Sequence, residues 1–396
     1  MIMMKLLFLI LIIACIFFRI LYIWNFSIAL LAIVCTILFF CFIMVLSLKH
    51  SIKINLSVSE NNAEKNTPFN VTLNVINKSI FPVAKAEAFI SYQNTINGDI
   101  NEIELYFPIQ ARNAQKIDFQ LTSKFCGKIK VHSNFIIIYD PIRLFKAKIA
   151  KNIETEINIL PLFHEVNGYI NDSCYIDDES TMFSQVKSGD DPSEVFDFHE
   201  YHEGDKPTLI HWKLSSKKDE FIVKELSLPI NEKIMLFPDI RCYESSEYTL
   251  PVFDTIMESF MSVSLFLLEN HHPHFTIIYD SKMKSFNEIY INDVKTLYEI
   301  ILNAINNADI KCKENPVEKF FEEYHEISCS SFTLITHELD REIINCFEQG
   351  ISSEIKNIIY VTSNNEEKDN IPCFENINLI TVSAGKVKSS LNGIEL

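Results

Sequence analysis

Two long apolar runs occupy the first fifty residues of the chain. Residues 6–24 and 26–48 are almost uninterrupted hydrophobic segments, and each reaches the roughly 20 residues that a helix needs to cross the hydrocarbon core of a bilayer. Asn25 and Ser27 mark a turn too short to hold a domain. The pattern therefore predicts a transmembrane hairpin over residues 1–50, which makes the chain a multi-pass membrane protein.

Few charges flank the predicted hairpin. Lys5 precedes it, and Lys49 and Lys53 follow it. Arg19 lies near the outer end of the first helix, from where a long side chain can reach the membrane interface. By the positive-inside rule both ends of the hairpin face the cytoplasm. We therefore expect a protein of the cell membrane whose soluble domains are cytoplasmic.

An alternative interpretation of the N-terminus is a bacterial lipoprotein. Residues 12–15 resemble a lipid-attachment box with Cys15 as the acylated residue. The residues after Cys15 are apolar rather than a polar tether, which favours the hairpin. A cleaved signal peptide would need small residues at a cleavage site and a polar stretch after it, and the sequence has neither.

Short segments that alternate apolar and polar residues follow over residues 51–162. They are rich in Val, Ile, Phe and Thr and are bounded by Asn, Gly, Pro and Lys, a composition typical of β-strands and the turns between them. About seven such strands over this length predict an immunoglobulin-like all-β sandwich. Gly98 is expected to supply the positive φ of a hairpin turn.

Apolar strands alternate with amphipathic helices over residues 231–396. Strands are expected at residues 233–239, 274–280, 331–337, 355–363 and 377–383, and helices at residues 250–270, 294–308, 316–327 and 340–349. This alternation predicts an α/β domain built on a mostly parallel, doubly wound sheet. Residues 163–230, between the sandwich and this domain, form a polar segment that follows neither the helix period nor the strand period.

The charge balance argues against a nucleic-acid partner. The formal net charge is −17, and residues 1–50 contain no acid and three basic residues, so the remainder carries 52 acids against 32 bases, or −20. A nucleic-acid binder needs a basic face to neutralise phosphates. We therefore expect no nucleic acid among the partners.

The ten cysteines do not form a recognisable framework. Three lie in the apolar N-terminus, and the other seven are scattered singly without a CxxC pair. Zinc ribbons and thioredoxin-like sites need such pairs. Isolated thiols are typical of a protein in a reducing compartment.

The polar segment carries a long motif. Residues 189–229 read GDDPSEVFDFHEYHEGDKPTLIHWKLSSKKDEFIVKELSLP. This stretch resembles the hallmark of the domain of unknown function 58 family, a Gly-Asp pair followed by Arg-x-Tyr-x-Pro-Gly-Asp, Ile-x-Trp-Lys and Val-Lys-Glu. The matching positions are Gly189, Asp190, Tyr201, Gly204, Asp205, Ile210, Trp212, Lys213, Ser215, Val223, Lys224 and Glu225.

Two further stretches resemble the same family, and some positions depart from it. Residues 139–145, YDPIRLF, match its Asp-Pro-x-x-Leu-Phe, and residues 125–129, FCGKI, match its Arg-Gly turn except that Cys126 replaces the arginine. His199 stands where the family has arginine, and Glu203 stands where it has proline. The resemblance covers nearly the whole chain.

The resemblance implies an architecture and partners. The C-terminal domain would be a von Willebrand factor A-like, Rossmannoid domain, and the signature segment 163–230 would bridge it to the sandwich. Such proteins accompany a MoxR-type AAA+ ATPase and a transglutaminase-like membrane protein, and no catalytic activity is established for them. The resemblance thus implies a membrane-anchored, non-enzymatic adaptor without a cofactor.

The signature residues have a structural interpretation. Gly204 and Asp205 would form a turn in which the carboxylate caps backbone N–H groups. Trp212 would pin the segment onto a neighbouring domain through its large apolar face. Lys213, Lys224 and Glu225 would form partly buried pairs, and the segment could also serve as a docking surface for a partner.

The alternative function is a metal-dependent enzyme. His199, His202, Asp205 and His211 are of the residue types that bind zinc or iron. His199 and His202 would share a face only on a helix, and residues 203–207 interrupt a helix immediately afterwards. The structural interpretation is therefore favoured, with a metal site in residues 199–211 kept as the rival hypothesis.

A second candidate metal site follows the first strand of the C-terminal domain. Von Willebrand factor A domains bind magnesium there through Asp-x-Ser-x-Ser, whose hard oxygens suit that ion. Here Asp239 is in place, but Arg241 and Tyr243 replace the serines, and Ser245 and Ser246 fall out of register. A degenerate site that has lost its metal is predicted at Asp239, with a weak or rearranged metal site as the alternative.

The histidines of residues 270–275, NHHPHF, are interpreted as a helix end. Pro273 cannot continue the preceding helix, and histidines near a helix C-terminus interact favourably with its dipole. A metal site is the less favoured explanation of this cluster.

Overall fold

A computed structural model of the chain describes residues 2–22, 25–96, 100–170, 183–189, 191–202, 206–218, 220–229, 233–241, 249–281, 283–308, 315–324, 327–353, 355–363 and 376–396. The chain divides into two compact units, Met1–Pro161 and Leu162–Leu396. The segment boundaries at residues 50, 162 and 230 stay predictions from the sequence. Gly98 lies outside the described residues.

The two apolar runs form helices, as predicted. The helices are α1 (Ile2–Leu21) and α2 (Asn25–Ser51), both long and apolar enough to cross a membrane. At the turn between them Arg19 Nη1 donates to Ser27 Oγ at 3.4 Å, and the Ser27 hydroxyl donates to the carbonyl of Tyr22 at 2.8 Å. The charged group of Arg19 therefore lies at the turn, where the sequence led us to expect it.

The rest of the first unit consists of β-strands. They are β1 (Ile52–Val58), β2 (Asn62–Glu64), β3 (Phe69–Asn77), β4 (Val83–Asn94), β5 (Ile100–Ile109), β6 (Asn113–Leu121), β7 (Gly127–Tyr139) and β8 (Lys146–Leu160). One sheet has the order β1-β3-β6 and the other the order β2-β8-β7-β4-β5. Except for the β2–β8 pair, neighbouring strands are antiparallel.

Alternation of side chains explains the sandwich. In β3 every second residue from Phe69 to Asn77 is buried and the residues between them are not, so one face of the sheet is apolar. Buried residues of both sheets, such as Leu73 and Ile136, belong to one hydrophobic core. The last turns of α2 extend into this core, because Met44 and Leu48 are buried in it.

The second unit contains two groups of strands with helices between them. The strands are β9 (Asn167–Tyr169), β10 (Phe183–Gly189), β11 (Asp191–Glu200), β12 (Ile222–Pro229), β13 (Ile234–Pro238), β14 (His274–Asp280), β15 (Ser285–Ile291), β16 (Ile327–Ser328), β17 (Ser331–Thr336), β18 (Ile351–Ser352), β19 (Ile355–Thr362), β20 (Asn378–Ser383) and β21 (Asn392–Glu395). The helices are α3 (Trp212–Lys218), α4 (Thr249–Glu269), α5 (Val294–Asn307), α6 (Pro316–Glu323), α7 (Arg341–Gly350) and α8 (Val387–Ser390), with a 3₁₀ turn at Pro207–Leu209.

A six-stranded sheet organises the larger part of this unit. Its order is β15-β14-β13-β17-β19-β20, and only the pair β14–β15 is antiparallel. The mostly parallel sheet predicted from the alternating pattern is therefore observed, with β15 as an addition that the pattern did not indicate. Parallel strands of this kind are apolar on both faces because helices cover both.

Helices pack on each face of the sheet. On one face Phe237 and Phe332 form a core with Phe320 of α6 and Phe347 of α7. Helix α4 contacts β13, β17 and β19 and is absent from that core, so it lies on the other face. Its length and composition would also permit a membrane span, but most of α4 is buried inside the unit.

The C-terminal strand returns to the start of the unit. Strand β21 pairs in parallel with β9, and the N–H of Leu396 donates to the carbonyl of Tyr169 at 3.1 Å. A Cβ added to Gly168 would lie 2.6 Å from the carbonyl oxygen of Ile394. Glycine is therefore required where these two strands approach each other.

Candidate functional site

The carboxyl ends of β13 and β17 form the first candidate site. From β13 the chain runs first to β14 on one side of it and later to β17 on the other. In open α/β sheets ligands bind outside the carboxyl ends of strands at such a change of direction. Asp239 follows β13 directly at this point, and its N–H donates to the carbonyl of Ile335 at 2.8 Å.

The Asp239 carboxylate is fully buried and paired with Arg241. Its exposed fraction is 0%, and Arg241 Nε lies 3.1 Å from both carboxylate oxygens. An isolated buried carboxylate is strongly unfavourable, whereas a guanidinium hydrogen-bonded to it offsets the lost hydration. The guanidinium therefore occupies the place beside Asp239, which we call the cation position.

A second carboxylate completes the cluster. Arg241 Nη2 donates to Glu338 Oε2 at 2.6 Å, and the Thr336 hydroxyl donates to Asp239 Oδ2 at 3.1 Å. Asn315 Nδ2 lies 3.4 Å from Glu338 Oε2. One guanidinium thus interacts with two carboxylates, and the Thr336 hydroxyl gives Asp239 a further hydrogen bond.

Only half of this cluster is local in the sequence. Asp239 and Arg241 are two residues apart, so their meeting could be anticipated from the motif. Thr336 and Glu338 were missed because they reach Asp239 only through the pairing of β13 with β17. The available signal was their position at the end of a predicted apolar strand, where polar residues of a parallel sheet gather. Tyr243, Ser245 and Ser246 lie outside the described residues.

A cavity of about 290 Å³ opens beside Arg241. It lies between the carboxyl ends of β13 and β14, the strand β15 and helix α5, with apolar walls that include Ile278 and Ile300. Asp280 and Asn303 contribute polar groups to the same lining. A small molecule in this cavity would lie against Arg241.

The signature segment folds into a small antiparallel sheet of its own. Its order is β10-β12-β11, and the short helix α3 follows a bridge between Ile210 and Val223. The backbone N–H of Ile222 donates to the Ser215 hydroxyl at 2.9 Å, which fastens α3 to the sheet. Asp190, Gly204 and Asp205 lie outside the described residues, as does the side chain of Glu225.

The expected burial of Trp212 is wrong. Its side chain is 63% exposed, and its ring meets the ring of Phe221 edge-on at 6.1 Å. Phe198, Tyr201 and Phe221 are exposed too. We call the two rings in contact, Trp212 and Phe221, the aromatic patch. Large aromatic side chains are enriched where proteins bind one another.

Lys213 also departs from its expected role. It is exposed on α3, and Lys224 is only half-buried on β12. A partly buried charge pair therefore does not involve Lys213. The two lysines differ because Lys213 belongs to the first turn of a short surface helix, whereas Lys224 lies in the central strand of the small sheet.

The histidines of the segment have structural partners. His211 precedes α3, and its Nδ1 accepts the N–H of Leu214 at 3.0 Å, which caps the helix. The rings of His199 and His202 stack with centroids 5.7 Å apart. Among the described residues no three His, Cys, Asp or Glu side chains are grouped so that they could hold a metal ion.

The cluster at residues 270–275 ends helix α4, as interpreted from the sequence. His274 is fully buried in β14, and its Nε2 lies 2.6 Å from the Ser264 hydroxyl. Burial lowers the pKa of His274 from 6.5 to about 4, because the charged ring would lose its hydration. This histidine is therefore neutral at physiological pH and belongs to the core.

Comparisons with known proteins do not identify the chain. No family model matches it, and no curated protein does. A CARDB domain from Pyrococcus furiosus aligns with 27% of the chain and 91% of that domain, at 9% identity and a TM-score of 0.21. The C-terminal domain of wzt aligns with 28% of the chain and 75% of its own length, at 7% identity and a TM-score of 0.24. The alkylpurine DNA glycosylase AlkC from Pseudomonas fluorescens aligns with 34% of the chain and 40% of its own length, at 13% identity and a TM-score of 0.21. Similarities this weak support no conclusion about function.

Proposed function

We propose that this chain is a membrane-anchored, non-enzymatic adaptor of the domain of unknown function 58 type. It would work with a MoxR-type AAA+ ATPase and a transglutaminase-like membrane protein, as the resemblance of residues 189–229 implies. The soluble units would lie on the cytoplasmic side, where an AAA+ ATPase finds its nucleotide.

The observation that carries the proposal is the guanidinium of Arg241 in the cation position. Von Willebrand factor A-like domains use that position for a magnesium ion that binds a partner or ligand. In this chain the position is filled by a side chain that is 7% exposed and bonded to two carboxylates. A domain built this way suits a scaffold that binds its partners through another surface.

The aromatic patch is the candidate for that other surface. Trp212 and Phe221 lie in the signature segment, and both are exposed. Aromatic residues supply most of the binding energy in many protein interfaces because they bury large areas at low entropic cost. We assign the docking of the ATPase to this patch.

The finer fold assignments belong to the same proposal. A six-stranded, mostly parallel sheet with helices on both faces suits a von Willebrand factor A-like domain. Sheets of three and five strands around one core suit an immunoglobulin-like sandwich.

Co-purification tests the adaptor function. The full chain, extracted from membranes in mild detergent, should retain a MoxR-type ATPase, and Trp212→Ala/Phe221→Ala should lose most of it. The matched control is Tyr106→Ala, which removes an aromatic side chain exposed on the sandwich and should leave retention unchanged. Equal retention by the parent and the double variant would reject the patch as the docking surface, and absence of any AAA+ protein from the parent would reject the adaptor.

Metal analysis of the same preparations tests the rival hypothesis of a metal-dependent enzyme. The observation that favours the enzyme is the stacking of the His199 and His202 rings. Stoichiometric zinc or iron that disappears in a folded His199→Ala/His202→Ala variant would favour the enzyme over the adaptor.

Reporter fusions test the proposed topology. Fusions at Asn25 and at the C-terminus should report opposite sides of the membrane, with the C-terminal reporter cytoplasmic. A C-terminal tag accessible from outside the cell would reverse the orientation and support the lipoprotein interpretation at Cys15.

A further inference from the structure

Two loops of the three-stranded sheet lie at the end of the sandwich where α2 enters it. The register pairs Ile52, the first residue of β1, with Asn77, the last residue of β3. Asn77 also pairs with Asn113, the first residue of β6. The loops that follow β3 and precede β6, residues 78–82 and 110–112, are therefore at the end next to α2.

The five-stranded sheet adds a third loop at the same end. Strand β4 begins directly after residues 78–82, and its Ala86 pairs with Ile138 near the end of β7. The loop after β7, residues 140–145, therefore lies beside the start of β4. We call the three loops, residues 78–82, 110–112 and 140–145, the collar.

Helix α2 passes alongside the collar. The ring of Phe81 lies 5.6 Å from that of Phe40, and the ring of Phe145 lies 5.7 Å from that of Phe42. Beyond these contacts, Met44 and the following turn of α2 are buried in the sandwich core, where no lipid can reach them. The lipid-facing part of α2 therefore ends at about the level of the collar.

The exposed charges of the collar are all basic. Lys78, Arg112 and Arg143 are exposed, one in each loop. The collar contains one acid, Asp140, which is buried and accepts the N–H of Phe145 at 2.6 Å. In a chain with a net charge of −17, three exposed bases without an exposed acid set this surface apart.

The collar has a defined shape. Asn77 Nδ2 donates to the carbonyl of Phe81 at 2.9 Å and lies 3.0 Å from that of Gln110. Arg112 and Arg143 have φ values of 49° and 60°, a conformation that favours glycine or asparagine. Arginine at both positions points to a use for the side chain that outweighs the backbone preference.

We propose that the collar binds the headgroup layer of the membrane at the foot of α2. Lys78, Arg112 and Arg143 contact the phosphates of anionic phospholipids, and Ile80, which is 58% exposed beside them, inserts at the boundary between headgroups and acyl chains. Along α2 an apolar surface is followed by the basic surface of the collar. A bilayer changes from hydrocarbon to headgroups in the same order. This binding would hold the sandwich in a fixed orientation on the membrane.

Lipid retention by the full chain tests the proposal. Native mass spectrometry from detergent would count phosphatidylglycerol and phosphatidylcholine molecules bound at matched concentrations. The parent should prefer phosphatidylglycerol, and Lys78→Gln/Arg112→Asn/Arg143→Asn should lower that preference about tenfold or more, since each basic residue near a headgroup layer contributes several-fold. Asparagine is chosen at the two arginines because it tolerates positive φ.

A matched control separates the collar from net charge. Lys65→Gln/Lys124→Gln/Lys128→Gln removes three lysines at the opposite end of the sandwich and should keep the preference for phosphatidylglycerol. Equal loss in both triple variants, or no preference in the parent, would overturn the proposal.

A second measurement uses the chain without charge changes. A photo-crosslinking amino acid at residue 80 should form a lipid adduct in phosphatidylglycerol vesicles, and the same probe at residue 61, on the exposed loop at the opposite end of the sandwich, should not. Absence of an adduct at residue 80, or an equal yield at residue 61, would show that the collar does not lie in the headgroup layer.

Discussion

Removing the guanidinium of Arg241 should destabilise the six-stranded sheet locally, at the carboxyl ends of β13 and β17. Arg241→Ala removes the guanidinium that donates two hydrogen bonds of 3.1 Å to the Asp239 carboxylate, which is 0% exposed in the parent and then keeps the hydrogen bond from Thr336. Breaking a buried ion pair by deleting one partner typically costs about 3–5 kcal/mol, because the remaining charge stays desolvated. Loss of the bond to Glu338 adds little, since that carboxylate is partly exposed.

Hydrogen exchange of the full chain is the suitable assay, because it reports local opening in a protein of more than one unit. A cost of about 3 kcal/mol corresponds to roughly 150-fold faster exchange, since 1.4 kcal/mol is a factor of ten. The effect should appear in peptides of β13 and β17, whose ends meet at Asp239. The control is Arg341→Ala, an exposed arginine at the start of α7, which should change exchange by less than about threefold.

A second variant distinguishes lost charge pairing from lost packing. Asp239→Asn combined with Arg241→Ala removes the buried charge as well as its partner, so it should exchange more slowly than Arg241→Ala alone. If Arg241→Ala leaves both strands as protected as in the parent, or if Asp239→Asn gives no rescue, the guanidinium does not compensate the buried carboxylate.

Magnesium tests whether the guanidinium stands in a cation's place. Arg241→Ser supplies a hydroxyl where Asp-x-Ser-x-Ser has one, so added Mg²⁺ should slow exchange of β13 and β17 in this variant. The parent should show no such response, because its cation position is filled. Equal protection of parent and variant by Mg²⁺ would contradict this assignment.

Three further predictions concern single side chains. Folding lowers the pKa of His274 from 6.5 to about 4, so its contribution to the free energy of unfolding is complete above pH 6.5 and falls by about 3 kcal/mol as the pH drops to 4 and below. His274→Gln should therefore make hydrogen exchange in β14 depend less on pH over this range, after correction for the intrinsic exchange rate. Trp212→Ala should change the melting temperature little because the side chain is exposed, whereas Ser215→Ala should cost about 1–2 kcal/mol by leaving the first N–H of β12 without its acceptor; a larger effect of Trp212→Ala would mean that the indole is covered. Burial raises the pKa of Cys329 to about 12, so iodoacetamide at pH 8 should label the exposed Cys346 and reach Cys329 only after denaturation, as peptide mass spectrometry would show.

The elements with strong periodicity could be predicted from the sequence. The apolar runs that became α1 and α2, the alternation that became β3, and the apolar strands that became β13 and β17 all carry their signal within a few residues. Such patterns suffice because the buried face of a strand or helix appears in the sequence as a regular spacing of apolar residues. Strand β15 was missed because it is a half-exposed edge strand, whose residues alternate weakly.

The candidate site likewise has a part that is local in the sequence and a part that depends on tertiary packing. Arg241 lies two residues after Asp239, so their proximity is a local feature that the sequence shows directly. The exposure of Trp212 could not be predicted, because an aromatic residue is equally suited to a core and to an interface. Its surroundings depend on what packs over α3.

What the sequence by itself determined is the kind of element at each position, since helix and strand periods are properties of neighbouring residues. Only the tertiary structure decided which distant residues meet. Glu338 reaches Arg241 across 97 residues because two parallel strands end side by side, and no local pattern encodes that adjacency. The collar depends on the same physics. Lys78, Arg112 and Arg143 are scattered in a chain of net negative charge, and their loops lie at one end of the sandwich because the registers of two sheets place them beside α2.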